Sequence, residues 1–167
     1  YSWTLSRIDG DHQSLEKAMR ADGALLARAC VALQKIRRAT GHAVVIAPPF
    51  APPIWKRLQQ HDYDYIADGY SRLQACSSGL PFFDFTNPAN IHGTEECEFV
   101  DGLHGGDVTY ARMITQVGDR DPVVHKYLQA DFIGDFTRTY QGHAGGMSLK
   151  TDPGLKETDQ LRIGCRK

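Results

Sequence analysis

Ala43-Val44-Val45-Ile46-Ala47, closed by Pro48-Pro49, is the stretch that decides the fold class of this 167-residue chain. The run is short, continuously apolar and rich in β-branched side chains. That is the pattern of a strand buried on both faces of a parallel sheet. Upstream, Leu15, Met19, Leu26, Ala29, Leu33 and Ile36 keep helical spacing and predict a helix over 14–40. Ser14 is its candidate N-cap, Arg37 and Arg38 suit its negative end, and Gly41 terminates it. Asp22-Gly23 is where such a helix would divide in two. Downstream, Pro52-Pro53 is placed to open a helix, and Ile54, Leu58, Tyr65, Ile66 and Leu73 carry one or two helices to Cys76, with the division near His61-Asp62.

The turn Ser77-Ser78-Gly79 leads to a second strand over 81–86, Pro-Phe-Phe-Asp-Phe-Thr. Residues 1–13 read as a loop, 87–106 as a long loop, 107–117 as a helix capped by Asp107, and 121–142 as an amphipathic helix opened by Asp121-Pro122. Helix–strand alternation of this kind means α/β with parallel strands. The domain is assigned to residues 1–143 and an extended, glycine-rich tail to 144–167. Two parallel strands leave both edges open, so the sheet is expected to be incomplete in this chain. The missing strands would come from a preceding segment, a partner chain or the tail, where Leu161-Arg162-Ile163 is a candidate.

Apolar residues make up 41% of the chain and charged residues 23%, an ordinary balance for a globular domain. Lys+Arg is 19 against Asp+Glu 20, a net charge of -1, which speaks against an electrostatic grip on nucleic acid. No apolar run is long enough for a membrane span. Cys30, Cys76, Cys97 and Cys165 show no C-x-x-C spacing. They are read either as reduced and buried or as disulfides, with Cys76–Cys97 the first choice because both flank the second strand and its following loop. No metal site is expected: in His92, Glu95, Glu96, Cys97 and Glu98 the acids are nearly consecutive and their side chains diverge. No cofactor is expected either, since no glycine-rich phosphate loop follows either strand.

The chemistry is concentrated in Asp101-Gly102-Leu103-His104, followed by Gly105-Gly106. A histidine oriented by a nearby carboxylate is what a hydroxyl nucleophile needs as its general base. The same spacing recurs at Asp9-Gly10-Asp11-His12, which follows no strand and ranks lower. Tyr1 and Trp3 are candidates to line a sugar groove, and His92, in the same long loop as Asp101, is a candidate substrate contact. Asp84 reads as a structural strand residue.

The order of buried strand, helix, strand, loop with Asp-x-x-His, and helix resembles the second half of an SGNH (GDSL-type) hydrolase, over roughly residues 14–118. The resemblance implies a three-layer α/β/α domain with a parallel sheet, SGNH/flavodoxin-like and incomplete in this chain. It also implies that Asp101 and His104 are the acid and base of a Ser-His-Asp triad. The activity implied is that of a serine esterase or O-acyl(acetyl)transferase on ester or acylated carbohydrate substrates, in an extracytoplasmic location. The chain has no Gly-Asp-Ser and no Gly-x-Ser-x-Gly. The nucleophile is therefore expected from a missing N-terminal half or a partner chain. The alternative is a catalytically inactive α/β module that binds carbohydrate or a protein partner.

Overall fold

In the computed structural model, which describes residues 1–12, 15–77, 79–152 and 165, helices dominate around a small parallel sheet. The order is α1 (Ser2–Gly10), α2 (Gly23–Thr40), β1 (Val45–Ala47), α3 (Pro52–Gln59), α4 (Asp64–Cys76), β2 (Phe82–Asp84), α5 (Asp107–Arg120), α6 (Pro122–His125), α7 (Ala130–Thr139) and α8 (Gly146–Thr151). β1 and β2 pair in parallel, with Val45 opposite Phe82, Ile46 opposite Phe83 and Ala47 opposite Asp84. The α/β class with parallel strands read from the sequence is compatible with this arrangement, which is richer in helix than expected and has two strands in the described sheet.

Several local readings change. Residues 2–10 form α1 rather than a loop. No side chain caps this helix, so its sequence lacks a start signal. It forms because Thr4, Arg7 and Ile8 are buried, with Ile8 packed beside Ile54 and Leu58 of α3. It ends at Asp11, which adopts a left-handed conformation (φ 55°). α2 starts at Gly23, where the Asp22 carboxylate accepts the Leu25 N–H at 2.8 Å. The expected mid-helix break is thus the true N-cap, and Ser14 lies outside the described residues. The single helix expected over 121–142 is two, α6 and α7. Asp121 caps the first through the Val123 and Val124 N–H groups. Within the expected extended tail, 146–151 is helical, and Leu161-Arg162-Ile163 lies outside the described residues.

The cysteines pair as Cys30–Cys76 and Cys97–Cys165. This corrects both sequence readings, the Cys76–Cys97 bridge and the four reduced thiols. The reason is packing: α2 lies against α4, which sets Cys30 in mid-α2 beside Cys76 at the end of α4. Closing loops of these lengths restricts the unfolded chain by roughly 4 kcal/mol each.

Two apolar cores result. Ile8, Leu15, Ala51, Ile54, Leu58, Tyr63 and Phe99 form one beneath α1 and α3. Phe83, Phe85, Ile91, Met113 and Val117 form the other between β2 and α5. Each fully buried aliphatic or aromatic side chain contributes about 1.5–3 kcal/mol. Phe99 belongs to the first core while its chain neighbours lead into α5 over the second, so the 87–106 loop is held between the two. No described helix is long and apolar enough to cross a membrane.

Candidate active site

The site is built where the chain leaves the carboxyl ends of both strands. Phe50 N–H donates to Thr86 O at 3.2 Å, tying the exits of β1 and β2 together. The next residue, Ala51, donates its N–H to Gly102 O at 3.0 Å and so docks the 101–104 turn on the sheet end. Gly102 is needed there for space. A Cβ at this position would meet Ile54 Cγ1 at 2.7 Å and Thr4 Oγ1 at 3.0 Å.

The turn is a tight loop closed by an antiparallel bridge between Phe99 and Gly105, with Val100 N–H donating to His104 O at 3.0 Å. Inside it, Asp101 Oδ1 accepts the Leu103 N–H at 2.7 Å and the His104 N–H at 2.9 Å. The same carboxylate meets His104 Nδ1 with both oxygens, at 2.9 and 2.8 Å. Partial burial works to raise the Asp101 pKa. The bonds from the His104 ring and the Leu103 and His104 amides outweigh it, and the group ends below the ordinary carboxylate value. A proton on Nδ1 satisfies this contact and leaves Nε2 as the basic nitrogen. Among the described residues no side chain bonds to Nε2, and the His104 side chain is 66% exposed.

The base of the loop is fixed by Glu98, which is fully buried. Its carboxylate takes a bidentate contact from Arg112 of α5, with Nε at 3.0 Å and Nη2 at 2.9 Å, and also accepts from Thr94 Oγ1 and Gly142 N–H. Its carbonyl accepts from Thr109 Oγ1 and Gly106 N–H. Sequence reading missed this strut, because a Glu and an Arg fourteen positions apart across a loop and a helix start carry no pattern. Also missed was a second Asp–His contact, His42 Nε2 to buried Asp121 at 3.1 Å, between residues 79 apart in sequence. The Val124 amide, followed by the charge of His42, keeps that carboxyl below its ordinary value.

The other expected site residues are distributed unevenly. Tyr1 lies beside the turn: its hydroxyl donates to Glu96 O at 3.2 Å, and burial, then the charges of Glu96 and Asp101, push its phenol well above the ordinary range. Trp3 is exposed on the same helix, with the Arg7 guanidinium 4.4 Å above its ring. His92 is exposed and belongs elsewhere, in a polar cleft of 380 Å³ between β2 and α5 that Asp84, Asn90, Gln116 and Arg120 also line. Its backbone N–H is held by Gln116 Oε1 at 2.6 Å. Asp84 Oδ1 accepts from Thr86 N–H and Oγ1, a local structural contact.

Asp107 is the first residue of α5 and not its cap. Gly106 takes the cap position, and the Asp107 carboxylate accepts the Met147 N–H at 2.9 Å. Asp9 pairs with Arg57 and His61, each at 3.4 Å, and makes no ion pair with His12. In the 92–98 segment, Glu95 bonds Gln141, Cys97 is in a disulfide and Glu98 is held by Arg112. Among the described residues no group of three His, Cys, Asp or Glu side chains is arranged to hold a metal ion.

Compared with family models, curated proteins and solved structures, the chain matches none.

Proposed function

We propose that this chain supplies the acid and base of an SGNH-like serine esterase or O-acyl(acetyl)transferase, within a three-layer α/β/α domain completed by a preceding segment or a partner chain. One observation carries the proposal: Asp101 holds His104 by Nδ1 at the carboxyl end of a parallel sheet and leaves Nε2 without a partner among the described residues. Ligand sites of open α/β sheets lie at that end.

The chemistry follows. A serine hydroxyl gives its proton to His104 Nε2 as its oxygen bonds to the ester carbonyl carbon. The tetrahedral adduct then breaks its C–O bond to the alcohol, which leaves with the proton from Nε2. Water, or a sugar hydroxyl in transfer, repeats the sequence in reverse and frees the serine. Asp101 stabilises the imidazolium in both halves. Ester or acylated carbohydrate is the substrate class, and Tyr1, beside the turn, and Trp3, on α1, are the flanking aromatic surface. Two disulfides support an extracytoplasmic location, where thiols oxidise.

The test is labelling of the native protein with a fluorophosphonate probe, alongside hydrolysis of p-nitrophenyl acetate. A labelled serine, with turnover lost in His104→Ala, is the expected result. No labelling and no turnover would overturn it. The absence of Gly-Asp-Ser from the sequence favours a second reading, a catalytically inactive module that binds carbohydrate or a protein partner. Unlabelled native protein that still binds an oligosaccharide would establish that one.

A further inference from the structure

Residues 15–21 form neither helix nor strand, yet they are fastened along one face of α4. Ala18 N–H donates to Asp62 O at 3.1 Å, and Tyr65 N–H donates to Ala18 O at 3.1 Å. Further on, Ala21 N–H donates to Asp68 Oδ2 at 2.9 Å. At the start of the segment, the Tyr63 hydroxyl holds the carbonyl of Leu15. These bonds fix the segment as a strap beside the helix.

Between strap and helix lies a pocket of 360 Å³. Tyr65, Ile66, Gly69, Tyr70 and Leu73 form its helix wall, at the spacing of a single helical face. Leu15 and Ala21 line it from the strap, and Phe50 lines it from the chain leaving β1. Gly69 keeps the space open: a Cβ there would meet only the Ala21 Cβ, at 3.3 Å, within 4 Å. None of the lining residues belongs to the Asp101–His104 turn.

Two polar groups interrupt this apolar lining, the phenol hydroxyls of Tyr65 and Tyr70. Tyr63 shares its hydroxyl between the carbonyls of Ile8 and Leu15, which is structural use. Neither Tyr65 nor Tyr70 has a hydrogen-bond partner for its hydroxyl among the described residues, although both side chains are half-buried. Tyrosines in such surroundings usually find one. Burial raises both phenols above their ordinary pKa, with the charge of Glu16 adding at Tyr65 and that of Asp84 at Tyr70. Both therefore remain protonated donors through the neutral range. An apolar pocket of about 300–1,000 Å³ with a few polar groups is the usual form of a small-molecule site.

We propose that this pocket binds one planar aromatic ring carrying a neutral hydrogen-bond acceptor, such as an aryl ketone, amide or ester. The site goes beyond the ester chemistry above and does not require it. Contact of the ring with Phe50 and the tyrosine walls adds to simple burial. The acceptor oxygen takes the hydroxyl proton of Tyr65 or Tyr70 in a hydrogen bond. A charged ligand is disfavoured, because no charged side chain lines the pocket to pair with it. A plain hydrocarbon chain is disfavoured too, since it would strip water from both hydroxyls and give them no partner.

Titration of the native protein with acetophenone, followed through the backbone amide chemical shifts, tests the assignment. Ethylbenzene, a ring without an acceptor, and cyclohexyl methyl ketone, an acceptor without a ring, are the comparisons. Shifts are expected at the strap and at 65–73, with acetophenone binding about two- to tenfold more tightly than either comparison, the worth of one hydrogen bond or one aromatic contact. Tyr65→Phe with Tyr70→Phe keeps the walls and should reduce acetophenone to the affinity of ethylbenzene. Gly69→Leu should abolish the shifts, and if that variant fails to fold the tyrosine pair decides. No shifts up to the solubility limit, shifts confined to another part of the chain, or equal binding of the three compounds would overturn the proposal. So would unchanged acetophenone affinity in the double tyrosine variant. Binding as expected in a protein without esterase activity would leave this site standing and sink only the catalytic reading.

Discussion

Asp101 grips His104 twice, by its ring Nδ1 at 2.8 Å and by its own backbone N–H at 2.9 Å. One carboxylate thus fixes both the position and the tautomer of the imidazole. In the native protein, His104→Ala is expected to lower kcat on p-nitrophenyl acetate by about 10²–10⁴ while leaving the circular dichroism spectrum unchanged. Asp101→Asn should lower kcat as well, since the amide can present its NH₂ to Nδ1 and favour the wrong tautomer. Equal turnover in wild type and both variants would remove the pair from the mechanism.

The same grip has a pH signature. Asp101 ionises below its ordinary value in the fold, the bonds from His104 and Leu103 outweighing the burial that opposes them. A carboxylate with a lowered folded pKa stabilises the fold fully above its unfolded value, about 3.9, and loses that contribution as pH falls through the folded value. The difference in denaturation midpoint between wild type and Asp101→Asn should therefore shrink steadily as the solution is acidified below pH about 5. A difference that instead grew on acidification would mean that the neutral acid is the stabilised form.

How much of this was legible in the sequence depended on how far apart the interacting residues lie. The strand at Val45–Ala47, the helix opened by Pro52, and the Asp101/His104 contact are local, and their spacing reveals them. α1 is not local: it is helical because its buried face is covered, Ile8 packing beside Ile54 and Leu58 of α3. The disulfides escaped for the same reason, since Cys30 meets Cys76 only once α2 lies on α4. His92 and His104 share one long loop in sequence, yet the two anchors of that loop, Gln116 and Glu98, hold them apart, His92 in the polar cleft and His104 in the exposed turn.

Glu98 is fully buried and Arg112 is its counter-ion. Arg112→Ala strands the carboxylate in the core, and loss of about 3–5 kcal/mol in urea denaturation is expected. Adding Glu98→Gln should recover part of that loss, because a neutral amide is cheaper to bury without a cation. If Arg112→Ala alone proves neutral, Glu98 is not acting as the charged strut that holds the loop on α5.

Gly102 is confined by Ile54 on one side and Thr4 on the other. A methyl group there would push the turn off α1 and α3, and overpacking of this kind costs about 1–3 kcal/mol. Gly102→Ala should therefore lower both the denaturation midpoint and the turnover. Wild-type stability and turnover in the single variant would mean that the turn has room to move.

The Cys30–Cys76 bridge fastens a helix that has little else to hold it, since only Leu26 of α2 is buried. Cys30→Ser with Cys76→Ser is expected to cost about 2–4 kcal/mol in thermal or urea unfolding, through the loop that the bridge closes. The loss should be local first: amides of α2 should exchange faster, while those of α5, held by Met113 and Val117 in the other core, keep their protection. The Asp101–His104 turn rests on α1, α3 and α5, so its geometry should survive, and turnover measured well below the melting temperature should stay within about twofold of wild type. Loss of turnover in step with loss of the bridge would instead mean that α2 supports the site directly.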